Sequence, residues 1–527
     1  MKIYTSRAAV LLWAVLALPF FSNAQAPTWS ENVAPIVYQN CSGCHRPGAI
    51  GPFSLLTYED AFGAAVSMMD AVNDKRMPPW PPDPTYSQLA HERVLSANEI
   101  QTINEWVMAG SPEGNPALAP PQPVFNEGSQ IGTADLSVRI ADYTIQDSED
   151  EYRCFVVPSG LSGDEFIKAM EVIPGNRSIV HHVLVFYDTT GNCAANDAAT
   201  VDPGYLCVGG TGCGDSRLIG SWVPGTMPTV YPTGMGVPLE AGGDFVIQVH
   251  YAPGSQGQQD STRINMRFTN SGFTRPVYIS APLEHTYTLT NGPLFIPANQ
   301  VKSFHSQYTV APVDFSILAV GPHMHLLGQS IEAFGVHPAN PLDTIKFIRI
   351  PKWDFHWQGA YMLPKLMKVP NGTVLHANAT YDNTTNNPHN PNTPPQLVTL
   401  GEGTEDEMLL VYFAYTFYLP GDENIILDSA TVFPTHVIDP NANVYFDVYP
   451  NPASENVTVY FNALRSTKAS LRLYDAQGRT VKEWWHNKTL NNGWQNESVD
   501  LSGVAPGLYM LSFETNGKRT TRKLSIF

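Results

Sequence analysis

The chain has 527 residues, 43% of them hydrophobic and only 15% charged, with 44 prolines and 40 glycines. That length exceeds one core and suits several domains, and abundant turn formers with few charges suit short strands rather than long surface helices. A formal net charge of -18 argues against nucleic acid or anionic membrane as the main partner.

Residues 1–24 read as a signal peptide. Lys2 and Arg7 flank an apolar run, Ala8 to Phe21, that is too short to span a bilayer, and Ser22-Asn23-Ala24 offers a small-residue cleavage site. No later segment is long and apolar enough to form a transmembrane span. The mature protein is therefore expected to be exported by way of the periplasm, where disulfides form. Residues 27–112 read as a small helical domain. Thr57 and Asp60 make a capping box ahead of Ala61, Ala64, Ala65, Met68, Met69 and Val72 at helical spacing. Ser96 and Glu99 start a second helix that buries Ile100, Ile103 and Val107 and stops at Gly110. Residues 113–130 are a Pro-rich linker. From there to about residue 430 the pattern is RCFVVP, IVHHVLVFYD, DFVIQVHYA and similar strands between Pro, Gly and Asn turns. Two β-sandwiches are expected, 131–280 and 281–430, with a break near residues 275–295. Residues 445–527 read as a third, Ig-like β-sandwich with turns at Gln477-Gly478 and Asn516-Gly517, the second a type I′ hairpin signal.

Cys41-Ser42-Gly43-Cys44-His45 is a C-x-x-C-H motif. Two thiols at this spacing can add to the vinyl groups of one haem, and the adjacent histidine reaches the iron. A zinc site would need two more ligands nearby, and the helical domain has no other cysteine. Covalent haem c is therefore expected on Cys41 and Cys44, with His45 on the iron. Met77, in Lys75-Arg76-Met77-Pro78-Pro79-Trp80, is the expected sixth ligand, since a thioether raises the potential of an electron carrier. His91 is its rival, and Met68 and Met69 lie on the apolar stripe of a helix. Residues 27–112 resemble the small class I c-type cytochromes. The other four cysteines, Cys154, Cys193, Cys207 and Cys213, suggest two disulfides with three possible connectivities.

Several histidines lie in strand-like sequence. His323 and His325, two apart, share a strand face, which is good metal-ligand geometry. His181 and His182 are adjacent and can serve one ion only where the strand ends or bulges. Spacing alone does not separate a metal site from ordinary core histidines. The surrounding words go further. Val180-His181-His182-Val183, Gln248-Val249-His250-Tyr251, His323-Met324-His325-Leu326-Leu327-Gly328 and Thr404-Glu405-Asp406-Glu407-Met408 occur in that order. Together they resemble the copper type II, ascorbate-dependent monooxygenases, which include peptidylglycine α-hydroxylating monooxygenase and dopamine β-monooxygenase.

The resemblance implies two jelly-roll-like sandwiches that each supply one of two copper ions across a solvent-filled cleft. His181, His182 and His250 would hold the electron-transfer copper. His323, His325 and Met408 would hold the copper that meets dioxygen, where a soft thioether favours Cu(I). Gln248 would lie near the first copper and Tyr412 in the substrate pocket. Cys154 would pair with Cys207, and Cys193 with Cys213. Ascorbate or another small reductant would serve as electron donor. Gly321 and Leu410 stand where the peptide-hydroxylating members carry the arginine and asparagine of the substrate pocket. A glycine-extended peptide is therefore not the expected substrate, which is left as small-molecule or peptide-like. His285, His305, His337, His356, His376, His389, His436 and His486 read as structural.

Tyr449-Pro450-Asn451-Pro452, Pro506-Gly507-Leu508-Tyr509 and the terminal Lys523-Leu524-Ser525-Ile526-Phe527 resemble the type A sorting domain of the type IX secretion system, which implies the secretion machinery as a partner. The expected protein is multidomain and mainly β: an exported haem- and copper-dependent monooxygenase that hydroxylates a C–H bond. The alternative is a non-catalytic haem/copper electron-transfer protein at the cell surface.

Overall fold

The computed structural model describes residues 26–428 and 444–526, apart from 126–128, 208–209, 270–273, 311, 450–452, 464–466, 476, 492 and 516–517. The expected signal peptide, His436, Pro450-Asn451-Pro452, the Asn516-Gly517 turn and Phe527 lie outside the described residues. The chain is mainly β and divides into two compact units, Met1–Phe433 and Pro434–Phe527.

In the first unit, helices Ala34–Asn40, Tyr58–Gly63, Ala65–Asn73 and Ala97–Met108 enclose a small core around Trp29, Val37, Ile103 and Trp106. Both capping boxes form: the Thr57 and Ser96 hydroxyls accept from the third helical N–H, and Asp60 and Glu99 return the bond. The helix predicted through residues 61–72 is broken at Ala64, whose ψ of 4° leaves the helical region.

The segment after Met77 corrects the expected domain boundary. Residues 80–93 form a strap that leaves the helices and packs on the sandwich further along the chain. Leu89 joins the core of that sandwich, and the Trp80 ring meets Tyr361 edge-on at 5.4 Å. The Asp83 N–H donates to the Arg349 carbonyl at 2.8 Å and the Ala90 N–H to that of Met362 at 2.7 Å. The His91 N–H donates to the Asp428 carboxylate, while its side chain is 54% exposed on this strap. Arg349 donates to the Asp83 carboxylate at 2.6 and 3.1 Å.

The Thr85 hydroxyl, then Arg349, hold the Asp83 carboxyl at about 2, below its ordinary 3.8. A depressed folded value stabilises the fold above the ordinary value, and that contribution disappears as pH falls through the folded one. Asp83→Asn is therefore expected to cost about 1 kcal/mol at neutral pH. Thermal melts should show the deficit shrinking as pH drops from 3.8 towards about 2. A deficit independent of pH would point to lost packing instead.

The first sandwich sets a sheet containing Leu136–Arg139, Arg263–Phe268, Glu165–Ile173 and Met235–Leu239 against one ordered Tyr205–Leu206, Glu151–Pro158, Asp244–Tyr251, Val180–Asp188, Arg217–Trp222. Val183, Val185 and Tyr187 point into its core beside Phe245 and Ile247. Their alternates Leu184 and Phe186 lie on the opposite, half-buried face, as the period of two requires.

The chain crosses to the second sandwich at Val277. Arg275–Pro276 still pairs with the first, whereas Tyr278–Leu283 pairs with Leu410–Phe417. Here the sheet Tyr278–Leu283, Leu410–Phe417, Phe315–His323, Tyr361–Val369 covers a second one ordered Gln300–Thr309, Val374–Asn383, Gly328–His337, Asn340–Ile350. Phe304, Phe347, Tyr381 and Phe413 fill the space between. A buried fork pins the crossover: Arg275 donates to both oxygens of Asp422 at 2.8 and 2.9 Å, and Ser316 donates to the same carboxylate at 2.6 Å.

The second unit is a sandwich of three and four strands around Phe446, Phe461, Trp485 and Phe513. Among the described residues no helix is long and apolar enough to cross a membrane.

Candidate functional site

The strand Val180–Asp188 answers how two adjacent histidines can serve one site. His182 faces His250 across the ladder, but the next pair is Tyr251 with Val180, so His181 is an extra residue at a register shift. A bulge turns its side chain to the same side as His182. The Nδ1 of His250 lies 3.1 Å from that of His181 and 3.3 Å from that of His182, and the last two are 3.4 Å apart. Three nitrogens each ~2 Å from one tetrahedral ion stand about 3.3 Å from one another, so this trio could hold a metal ion. Asp150 accepts from Nε2 of His250 at 2.6 Å, and the Tyr152 ring stacks on the same imidazole at 4.1 Å. Burial first, and neighbouring imidazoles next, hold all three histidines below their ordinary pKa, which keeps them neutral with lone pairs free.

His323 ends the strand Phe315–His323, and the His325 ring stands 5.1 Å away, nearly perpendicular. Each ring is held by its Nδ1. The Gln358 side-chain oxygen lies 2.5 Å from that of His323, and the Asp406 carbonyl 3.1 Å from that of His325. These acceptors keep the proton on Nδ1 and leave Nε2 free for a ligand. Burial lowers both pKa values, that of His323 to about 3. Glu407, fully buried, accepts from the N–H groups of His325 at 3.0 Å, Leu327 at 2.6 Å and Met408 at 3.2 Å. One carboxylate thus ties the histidine turn to the methionine; burial pushes its pKa up to about 8.

His181 and His182 of the trio line one cavity of about 430 Å³ with His323 and His325, and Met408, Gln248 and Tyr412 line it too. The Phe355 ring stands between them, 6.4 Å from His181 and 6.0 Å from His325. Two histidines read as structural also line it, a correction to the sequence analysis. His285 accepts from the Leu409 N–H at 3.2 Å, and His356, held by Asp354, lies 5.9 Å from His181. His285 meets a partner 124 positions away, and the neighbouring Asp354 of His356 gives no sign of a cavity, so no local pattern marks either. His376 instead pairs with His305 at 3.0 Å, apart from the cavity lining. Gln248 donates to the Cys207 and Gly210 carbonyls at 2.9 and 3.0 Å, and disulfides join Cys154 to Cys207 and Cys193 to Cys213. These bonds brace the loop beside the first trio.

Cys41 and Cys44 are free thiols. With His45, Met77 and Met68 they line a second cavity, of about 730 Å³, whose far wall includes Met170, Val172 and Trp222 of the first sandwich. Nδ1 of His45 lies 3.2 Å from the Phe53 carbonyl, which leaves Nε2 free. Gly51 is required there: a Cβ would lie 2.7 Å from the Cys44 carbonyl oxygen and 2.9 Å from the His45 Cα. The two cavities share a partition. Ser221 lines both, Trp222 and Trp357 line the cysteine side, and Phe355 and His356 line the histidine side.

Comparison with known proteins bears on half of the histidine cavity. Residues 294–428 match the family model of the copper type II ascorbate-dependent monooxygenase, C-terminal domain. The match spans His323, His325, Met408 and Tyr412, and it supports a copper-dependent, monooxygenase-like role for a family whose name implies copper and ascorbate. Residues 447–527 match the secretion system C-terminal sorting domain. The protein is exported through type IX secretion to the cell surface or beyond. No curated protein matches the chain. Solved structures with local similarity include the Faecalibacterium prausnitzii β-glucuronidase (9% identity, 43% of this chain and 37% of that one, TM-score 0.14). Another is dimeric latent PorU from Porphyromonas gingivalis (11% identity, 72% and 34%, TM-score 0.14). The chain spans about a third of the length of those solved structures.

Asp150 gives the first trio a measurable dependence. Removing the carboxylate that orients a metal-binding histidine typically costs 10–100-fold in affinity. Asp150→Ala is expected to weaken copper binding at that trio by about that factor in a chelator competition titration. Unchanged affinity would mean that the stack on Tyr152 alone orients His250.

Proposed function

We propose that the protein is an exported copper-dependent monooxygenase that hydroxylates a substrate C–H bond and carries a covalent haem as its electron store. The carrying observation is that His181 and His182, which with His250 form a compact trio, line one cavity together with His323, His325 and Met408. Copper in these sites supplies one-electron redox chemistry and reactivity with dioxygen. The chain's own groups prepare for that chemistry. Gln358 and the Asp406 carbonyl fix which imidazole nitrogens are offered. Glu407 holds the Met408 backbone, and a thioether favours the reduced ion. Tyr412 presents a hydroxyl that burial keeps protonated, its pKa pushed up to about 12. Overall, one oxygen atom enters the substrate and the other leaves as water, at the expense of two electrons and two protons.

The residues around Cys41 fit a haem: two free thiols, a histidine with Nε2 unencumbered, a methionine and a largely apolar cavity of about 730 Å³. A bound haem supplies one-electron storage. Met77 lines this cavity and His91 does not, which favours the methionine as sixth ligand. The thin aromatic partition supports electron passage towards the histidine cavity.

The test is oxygen uptake by the copper-loaded protein under ¹⁸O₂ with ascorbate. Labelled hydroxylated product supports the reading; uptake without product would leave an electron-transfer protein. The haem is tested separately, by the mass of the peptide bearing Cys41 and Cys44. A peptide of unmodified mass from haem-competent cells would remove it.

A further inference from the structure

We infer that the histidine cavity binds an uncharged, largely apolar molecule whose body lies along the strands leading away from the histidines. This deepens the monooxygenase reading, on which it rests only for the fate of the molecule.

Three strands carry the inference. Each brings a candidate ligand to one end of the cavity and lines it onward with alternate residues, joined on the His323 strand by Val320 and Pro322. From His182 the strand continues through Leu184 and Phe186, and from His323 it runs back through Gly321 and Ala319. Beyond Met408 come Leu410, Tyr412 and Ala414. Alternate residues share a face, so the same wall that starts with imidazole or sulfur continues as hydrocarbon. Gly321 pairs with Tyr412 and Ala319 with Ala414, whose other neighbour is Ile279, so small residues meet across the ladder and leave room. The four steps of strand from His323 to Ala319 span about 13 Å. An eight-carbon chain fits that length and the 430 Å³ volume.

Charge decides the class. Among the described lining residues there is no lysine or arginine, and Glu402 is the only carboxylate. Burial, then the Asp406 charge, raises the Glu402 pKa and favours its neutral form. The one lining group held towards its charged form, His356, is already paired with Asp354, so an anion entering here would shed its water without meeting an unpaired cation, which is costly. An ammonium group would find only that one reluctant carboxyl partner.

Gly321 shows that the space is unfilled for lack of a side chain rather than for lack of room. A Cβ there would meet Ala360 Cα and the Gly359 oxygen at 3.6 Å, which is ordinary contact. A longer side chain is tolerated by the backbone and occupies the cavity.

The experiment is calorimetric titration of the full-length, copper-free protein with octan-1-ol, octanoate and octylammonium, which share one apolar body. Octanol should bind at least tenfold more tightly than either ion, and Gly321→Leu and Ala414→Phe should each weaken it tenfold or more. Octanoate binding as well as octanol, octylammonium binding best, or octanol affinity untouched in both variants would each overturn the inference. If one variant fails to fold, the other decides; if both fail, the ranking of the three head groups decides. Copper stoichiometry, measured on the same preparations, separates the two readings. Intact copper binding without octanol binding sinks the pocket alone, and the reverse sinks the copper reading alone.

Discussion

A His323→Ala variant is expected to bind one copper fewer than the wild type and to lose hydroxylation by far more than the ~100-fold that removal of an outer hydrogen-bond partner costs. The substitution removes an imidazole whose Nε2 is the offered atom, and it leaves the Gln358 oxygen, now 2.5 Å from Nδ1, without that partner in a buried place. His325 and Met408 alone make a two-ligand site of much lower affinity. The trio His181, His182 and His250 sits on other strands and should keep its ion, so the copper EPR spectrum should lose one component and keep the other. Gln358→Leu, which keeps the imidazole but frees its tautomer, should fall between, about 10–100-fold down. Unchanged copper stoichiometry in His323→Ala would end the assignment of an ion to that residue.

Glu407→Ala should be the most damaging substitution for the fold of the second sandwich. It strips the acceptor from the buried N–H groups of His325, Leu327 and Met408 and leaves a hole where a fully buried side chain stood. Unpaired buried donors cost about 1–3 kcal/mol each, so a loss of at least about 3 kcal/mol is expected in denaturant unfolding. Copper affinity at His323 and His325 should drop with it, because the turn and Met408 lose their common anchor, while the first trio keeps its affinity. Glu407→Gln preserves the volume but turns an NH₂ group towards backbone donors, and should fall between. Wild-type stability in Glu407→Ala would mean that water replaces the carboxylate, contrary to its burial.

Local features of this fold were readable before any coordinates. The capping boxes at Thr57 and Ser96 need only a hydroxyl and a carboxylate three residues on, and both form. The strand-like word at 180–188 forms a strand, but Val183-Leu184-Val185-Phe186-Tyr187 is apolar throughout, so only the structure assigns Val183 and Val185 to the core and Leu184 to the other face. The packing of the strap 80–93 on the second sandwich is not legible in sequence, because nothing in its own residues names its partner. Tyr86 donates to Glu332, 246 positions away. The break at Ala64 is a similar case, since helical spacing continues through it and only the packing of Ala65–Asn73 interrupts it.

For the candidate site, sequence alone determined the chemistry available: two thiols and a histidine in five consecutive residues, a histidine pair, a His-x-His and a methionine in strand-like words. Spacing within a few residues is fixed by the covalent chain, so such features survive any fold. Only the tertiary structure decided that His181 and His182 line a common cavity with His323 and His325, that His285 and His356 join it, and that His181 is the residue bulged out of register. Those facts depend on which strand lies beside which. That choice is made by burial of apolar faces hundreds of residues apart, and no local stretch of chain records it.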